Sequence, residues 1–181
     1  FTFASANVGT GITMNTSGYT ISGTDSGNYT LTQPTLSADI TGAELTIVGL
    51  TGDNKVYDGT TAATASGTAV LSGIIGADDV SLGGSPVFTF ASANVGTGIT
   101  MNTSGYTISG TDSGNYTLTQ PTLSADITGA ELTIVGLTGD NKVYDGTTAA
   151  TASGTAVLSG IIGADDVSLG GSPVFTFASV N

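Results

Sequence analysis

The chain uses one sequence again and again. Phe1 to Val87 reappears as Phe88 to Val174, and a third copy begins at Phe175, giving a period of 87 residues. Across the overlapping copies one position differs, Val180, where the earlier copies carry Ala6 and Ala93. This constrains the fold more tightly than composition does. Whatever one copy builds, the next must build as well, and their ends must meet in the same way each time. Periods of about 20 to 50 residues suit solenoids, whose units cannot bury a core alone. A period of 87 residues is long enough for a small domain with its own core. The expectation is a row of like domains.

Composition removes several partner classes. Lys and Arg together number 2 against 14 Asp and Glu, for a net charge of −12. Nucleic-acid binding depends on cations that displace counterions from phosphate, and anionic membrane surfaces ask for the same. Neither partner suits this chain. The acidity favours solubility and repulsion between domains, which helps to keep a row of them extended. Disordered chains combine low hydrophobicity with high net charge, whereas 39% of these residues are hydrophobic, enough for a folded core. No apolar run approaches the roughly 18 residues of a membrane-spanning helix, and these residues contain no signal peptide. Cysteine is absent, so no disulfide staples a domain. Cysteine-free, Thr/Gly-rich repeats of this kind are associated with exported bacterial surface proteins.

The apolar pattern is short and β-like. Leu45–Val48, Thr68–Leu71, Val80–Leu82, Val87–Phe90, Ile99–Met101, Tyr106–Ile108, Tyr116–Thr119 and Leu123–Ile127 read as strands. Turn clusters separate them at Gly52-Asp53-Asn54, Asp58-Gly59, Gly76–Asp79, Gly83–Pro86 and Gly110–Gly114. No stretch sustains a helical period. The fold class is all-β: tandem immunoglobulin-like β-sandwich repeats forming an extended rod, with a β-grasp-like repeat as the alternative. Gly129-Ala130-Glu131 reads as a hinge between a last strand and a new first one. On that phase residues 43–129 form a complete repeat, 1–42 the C-terminal part of one neighbour and 130–181 the N-terminal part of the other. The alternative phase runs Phe1–Val87 and Phe88–Val174.

Two motifs carry resemblances. Asp112-Ser113-Gly114-Asn115-Tyr116 resembles the corner that opens a late strand in immunoglobulin-like domains, with Leu118 in place of the usual Cys. The plain alternative is a Gly-Asn turn before an aromatic strand residue. Lys55-Val56-Tyr57-Asp58-Gly59-Thr60-Thr61 is more specific. Together with Leu71-Ser72-Gly73, Gly76–Val80, Asn94-Val95-Gly96 and Asp112–Leu118, it resembles the YDG-type tandem repeats of large bacterial adhesins, often filamentous-haemagglutinin-like exoproteins. The resemblance spans the whole chain. It implies a β-rich stalk module on the bacterial cell surface, and no catalytic residue carries over from it.

Residues that could bear chemistry are few. His and Cys are absent, which removes the usual general base, thiolate nucleophile and transition-metal ligands, so no enzyme is expected. Calcium, the one cofactor considered, needs about six to eight oxygen ligands. Asp53 and Asp58 lie in one turn region and Asp78 and Asp79 in another, while Asp39 and Glu44 flank the hinge, where an ion would stiffen the joint. Asp and Asn are also what turns need in any case. Lys55 and its copy Lys142 could form an intramolecular isopeptide bond assisted by a carboxylate such as Glu44; the alternative is a solvated ammonium beside Asp53 or Asp58. Tyr57, Asp58 and Gly59 read as a strand end and tight turn with the ring packed on the domain, or as a recognition motif shown once per repeat. The leading functional expectation is a spacer that projects an adhesive region for cell adhesion and biofilm formation, with neighbouring repeats as its partners. The alternatives are a polyvalent binder of host or matrix glycans, or of like repeats on other cells, and an extracellular fibre joined by strand complementation.

Overall fold

The computed structural model describes residues 1–179, so Val180, the one position that differs between copies, lies outside the described residues. Regular structure is all strand apart from two single-turn 3₁₀ segments, Ser26–Asn28 and Ser113–Asn115. The strands fall into three stretches. The first holds β1 (Thr2–Phe3), β2 (Gly9–Asn15) and β3 (Leu36–Ile40) in one antiparallel sheet. The second holds β4 (Ala43–Gly52), β5 (Lys55–Val56), β6 (Ala62–Ala63), β7 (Ala65–Ser72), β8 (Ser81–Phe90), β9 (Gly96–Ser109), β10 (Tyr116–Thr119) and β11 (Thr122–Thr128). The third holds β12 (Thr133–Gly139), β13 (Ala149–Ala150), β14 (Ala152–Ser159) and β15 (Phe175–Thr176), in the pairs β12–β14 and β13–β15. Among the described residues, every strand pairing stays within its own stretch. No helix among them is long and apolar enough to cross a membrane.

Residues 43–128 build two sheets. The smaller has the order β10-β4-β7, with β4 antiparallel to β7 and parallel to β10. The larger runs β5-β11-β9-β8-β6, antiparallel except for the β5–β11 edge. The first strand is thus central in its sheet, whereas an immunoglobulin order places it at an edge.

Period-2 alternation sets the core. Leu45 and Ile47 share one face of β4 and are buried, as are Ala125 and Ile127 on β11. Phe90, Met101, Ala125 and Ile127 form one cluster, against which Tyr57, Ala63, Phe88, Ile99 and Leu123 pack. The end of β4 reaches this cluster. A Cβ on Gly52 would stand 2.6 Å from Met101 Sδ and 2.7 Å from the Ser124 carbonyl oxygen, so only glycine lets β4 lie against β9 and β11.

One turn expectation is corrected. Gly83-Gly84-Ser85-Pro86 lies inside β8, not between strands, and the two runs Ile99–Met101 and Tyr106–Ile108 belong to the single strand β9. The ladder between β8 and β9 shifts register between Gly84 and Val87. Ser85 and Pro86 fall in this bulge, where a missing N–H breaks no ladder bond. Gly84 (φ 99°) and Gly105 (φ 92°) face each other across it with backbone too close for a Cβ. The Gly-Pro punctuation marks a bulge, and the strands continue through it.

Candidate functional site

The Lys55–Thr61 motif folds as a short edge strand and a tight turn. β5 lies parallel to β11, and Tyr57 N–H donates to the Thr128 carbonyl at 2.8 Å. Asp58 then closes the turn: its Oδ1 accepts from Thr60 N–H and from the Thr60 hydroxyl, both at 2.9 Å. Gly59, at φ 75°, takes the left-handed position that such a turn requires. Lys55 Nζ donates to Asp58 Oδ1 at 2.7 Å, to the Thr60 carbonyl at 2.7 Å and to the Ala62 carbonyl at 3.0 Å. It also sits 5.7 Å from the centroid of the buried Phe90 ring, which ties the turn to the core. The Lys55 ammonium first, then the Thr60 donors, hold the Asp58 carboxyl down at about 2. The next copy repeats this, with Lys142 and Thr147 lowering Asp145 to about 2.

A second cluster gathers at Asp112–Tyr116. The Tyr116 hydroxyl donates to Asp78 Oδ2 at 2.6 Å and accepts from Ile75 N–H at 2.9 Å. The ring is buried at the start of β10. This has the character of a tyrosine corner, but the hydroxyl reaches the β7–β8 loop and not its own connection. Asp112 Oδ2 accepts from Asp79 N–H, and Asp79 Oδ2 accepts from the backbone and hydroxyl of Thr111, so the two loops cap each other. The Thr111 hydroxyl, with its N–H, holds Asp79 below the usual carboxylate range. The hydrogen bond to Asp78 raises the Tyr116 phenol, because an anion beside a carboxylate is disfavoured. Gly114 stands in open space within the single-turn segment.

The acidic residues singled out as calcium ligands are spread over separate tasks. Asp39 accepts from Gly11 N–H, Glu44 from the Thr119 hydroxyl, Asp58 from Lys55, and Asp78 and Asp79 from the corner. Asp53 lines a recess with Lys55 and Asp58, and its N–H donates to Thr64. Among the described residues, no three acidic side chains converge as a metal site. The Lys55 hydrogen bonds go to Asp58, Thr60 and Ala62, while Glu44 is engaged on the opposite sheet.

Contacts also run between consecutive stretches, and these were not legible beforehand. The Tyr57 hydroxyl donates to Asp165 Oδ2 at 2.8 Å, and a Cβ on Gly59 would lie 3.4 Å from Ile162 Cγ2. At the preceding joint, Val8 N–H donates to Asn115 Oδ1 at 2.9 Å, and Asn115 Nδ2 donates to Asn7 Oδ1 at 3.3 Å. The hydrogen bond to Asp165 raises the Tyr57 phenol, with burial adding to it.

This geometry centres on the Tyr-Asp-Gly turn, and the family model of the YDG domain matches residues 1–36, 41–123 and 128–181. The chain belongs to the YDG domain family. Its YDG matches recur at the period of the sequence, and the second and third begin beside β4 and at the end of β11. Comparison with curated proteins and with solved structures finds no match to this chain.

Proposed function

We propose that these YDG repeats are stalk modules of a bacterial cell-surface adhesin, secreted and displayed outside the cell, where they hold an adhesive region away from the surface. The repeat unit in this reading runs from 43 to 129, with 1–42 and 130–181 belonging to its neighbours. One observation carries the reading: the complete repeat turns its aromatic residues inward. Phe90 and Tyr116 are buried, and Tyr57, Phe88 and Tyr106 are half-buried, so the outer surface carries no exposed aromatic ring, its apolar part being Val and Ile side chains such as Val48, Val70 and Ile75. Binding sites concentrate rigid aromatic anchors at their centres, whereas a spacer needs only a soluble wall. The acidic charge adds repulsion along the row.

Small-angle scattering of the 181-residue chain, with calcium and then with a chelator, tests the proposal. An elongated particle of unchanged length in both conditions is the expected result. A compact particle would sink the stalk reading and move polyvalent binding of glycans or like repeats ahead. Shortening or bending on chelation would replace packing with a calcium clamp at the joints, built around Asp39 and Glu44.

A further inference from the structure

The repeat makes two separate hydrogen bonds into one. Asp78 and Asp165 are the same residue one period apart. Asp78 accepts from Tyr116, the corner tyrosine of its own repeat, at 2.6 Å. Asp165 accepts from Tyr57, the motif tyrosine of the repeat before, at 2.8 Å. A carboxylate offers about four acceptor lone pairs, so a single residue can take both hydroxyls. We propose that the YDG tyrosine is the joint residue of the array: at every interior joint its hydroxyl closes on the next repeat's aspartate, which that repeat's corner tyrosine holds in place.

The surroundings fit a built interface. Tyr57 and Val95 from one repeat, with Leu132, Ile162, Asp165 and Val167 from the next, line a mostly apolar cavity of about 240 Å³ at this joint. The joint one period earlier supplies the matching part. Val8 is the earlier copy of Val95, and there its backbone meets Asn115. Superposed by the period, the two joints give one contact: a tyrosine and a valine loop from the leading repeat, received by the aspartate and asparagine loops of the following one. The acceptor and its clamp come from the same repeat, so the geometry is set before the neighbour arrives. A tyrosine half-buried against such a partner uses its hydroxyl as well as its ring. The joint concerns two adjacent repeats and stands whatever the array does; only its use as a stiffener rests on the stalk reading.

The absence of cysteine allows a direct test on the whole chain. Spin labels at the exposed positions Ser66→Cys and Ser153→Cys report the distance between the second and third repeats. The parent chain should give one narrow distribution, and Tyr57→Phe and Asp165→Ala should each broaden it. Tyr144→Phe supplies the control, because Tyr144 is the next copy of Tyr57 and its ring is exposed, away from the joint between the second and third repeats; it should leave the distribution unchanged. Amide exchange around Met101 checks that the repeat itself stays folded. Should Tyr57→Phe loosen the repeat, Asp165→Ala probes the same bond from the other side. An unchanged distribution in Asp165→Ala, or equal broadening in Tyr144→Phe, overturns the proposal. A narrow distribution in a chain that scatters as a compact particle would reject the stalk and keep the joint.

Discussion

At the scale of single residues, neighbours in sequence were readable and distant partners were not. Lys55 and Asp58 lie three positions apart around a turn, so their pairing follows from reach alone, and the Lys55 ammonium sits against Asp58 at 2.7 Å. The Tyr57 acceptor is 108 positions away, and no local pattern points to it. The period itself was the available signal, since any contact across a joint must recur one repeat on. The local pair makes a testable statement about acid. Asp58 is lowered to about 2 from the ordinary 3.8, so its contribution is fully present above pH 3.8 and is lost as pH falls through about 2. Nuclear magnetic resonance titration should place Asp58 and Asp145 at the same low midpoint, as their surroundings are copies. Lys55→Met should move Asp58 toward 3.8 and leave Asp145 where it was. A midpoint already near 3.8 in the parent chain would mean that water outcompetes the ammonium at this exposed turn.

At the scale of elements, strand positions were legible because alternation of apolar residues reports a half-buried face directly. Tyr116–Thr119 is a strand with the expected ends, and Leu123–Ile127 lies within β11. Pairing was not legible, and the parallel contact between β4 and β10 joins residues 73 positions apart. Burial belongs to packing between sheets, as identical residues show. Ile47 and its copy Ile134 face the same strand partner, Leu71 and Leu158, yet Ile47 is 7% exposed in β4, which lies against β11, while Ile134 is 58% exposed in β12. The consequence is a difference in cost between identical substitutions. Ile47→Ala should destabilise its repeat by about 2–5 kcal/mol through lost burial and a residual cavity. Ile134→Ala should cost about 1 kcal/mol or less, having little burial to lose. Amide exchange in β4 and β12 reads each locally, which matters because a chain of several units need not unfold in one step. Equal costs would mean that residues 130–179 find partners for β12 in solution.

At the scale of the whole molecule, the joint decides whether repeated domains act as a chain of loose beads or as one body. Gly129–Glu131 lies between β11 and β12, and the side chains that bridge the two stretches come from turns far along the sequence. Interfaces between domains of one chain are commonly modest and polar, so a few hydrogen bonds set their freedom. Here the bridge is a phenol on a carboxylate, and this gives it a pH signature. Tyr57 is raised above the ordinary value of 10.0 by its bond to Asp165, with Asp58 on its own turn adding to the negative field. A group raised on forming a contact supports that contact fully below its free value, and the support is lost as pH rises through the raised one. The spin-label distance between the second and third repeats should therefore stay narrow through neutral pH and broaden only above about pH 10. Tyr116 is raised as well, but its hydroxyl bonds Asp78 inside its own repeat and not Asp165, so its alkaline titration acts on that repeat's loops. Tyr57→Phe separates the two, because its joint lacks the bridging hydroxyl at every pH and should show no alkaline step in that distance. A parent chain whose distribution broadens in mild acid would assign control of the joint to its carboxylates and remove the phenol from that role.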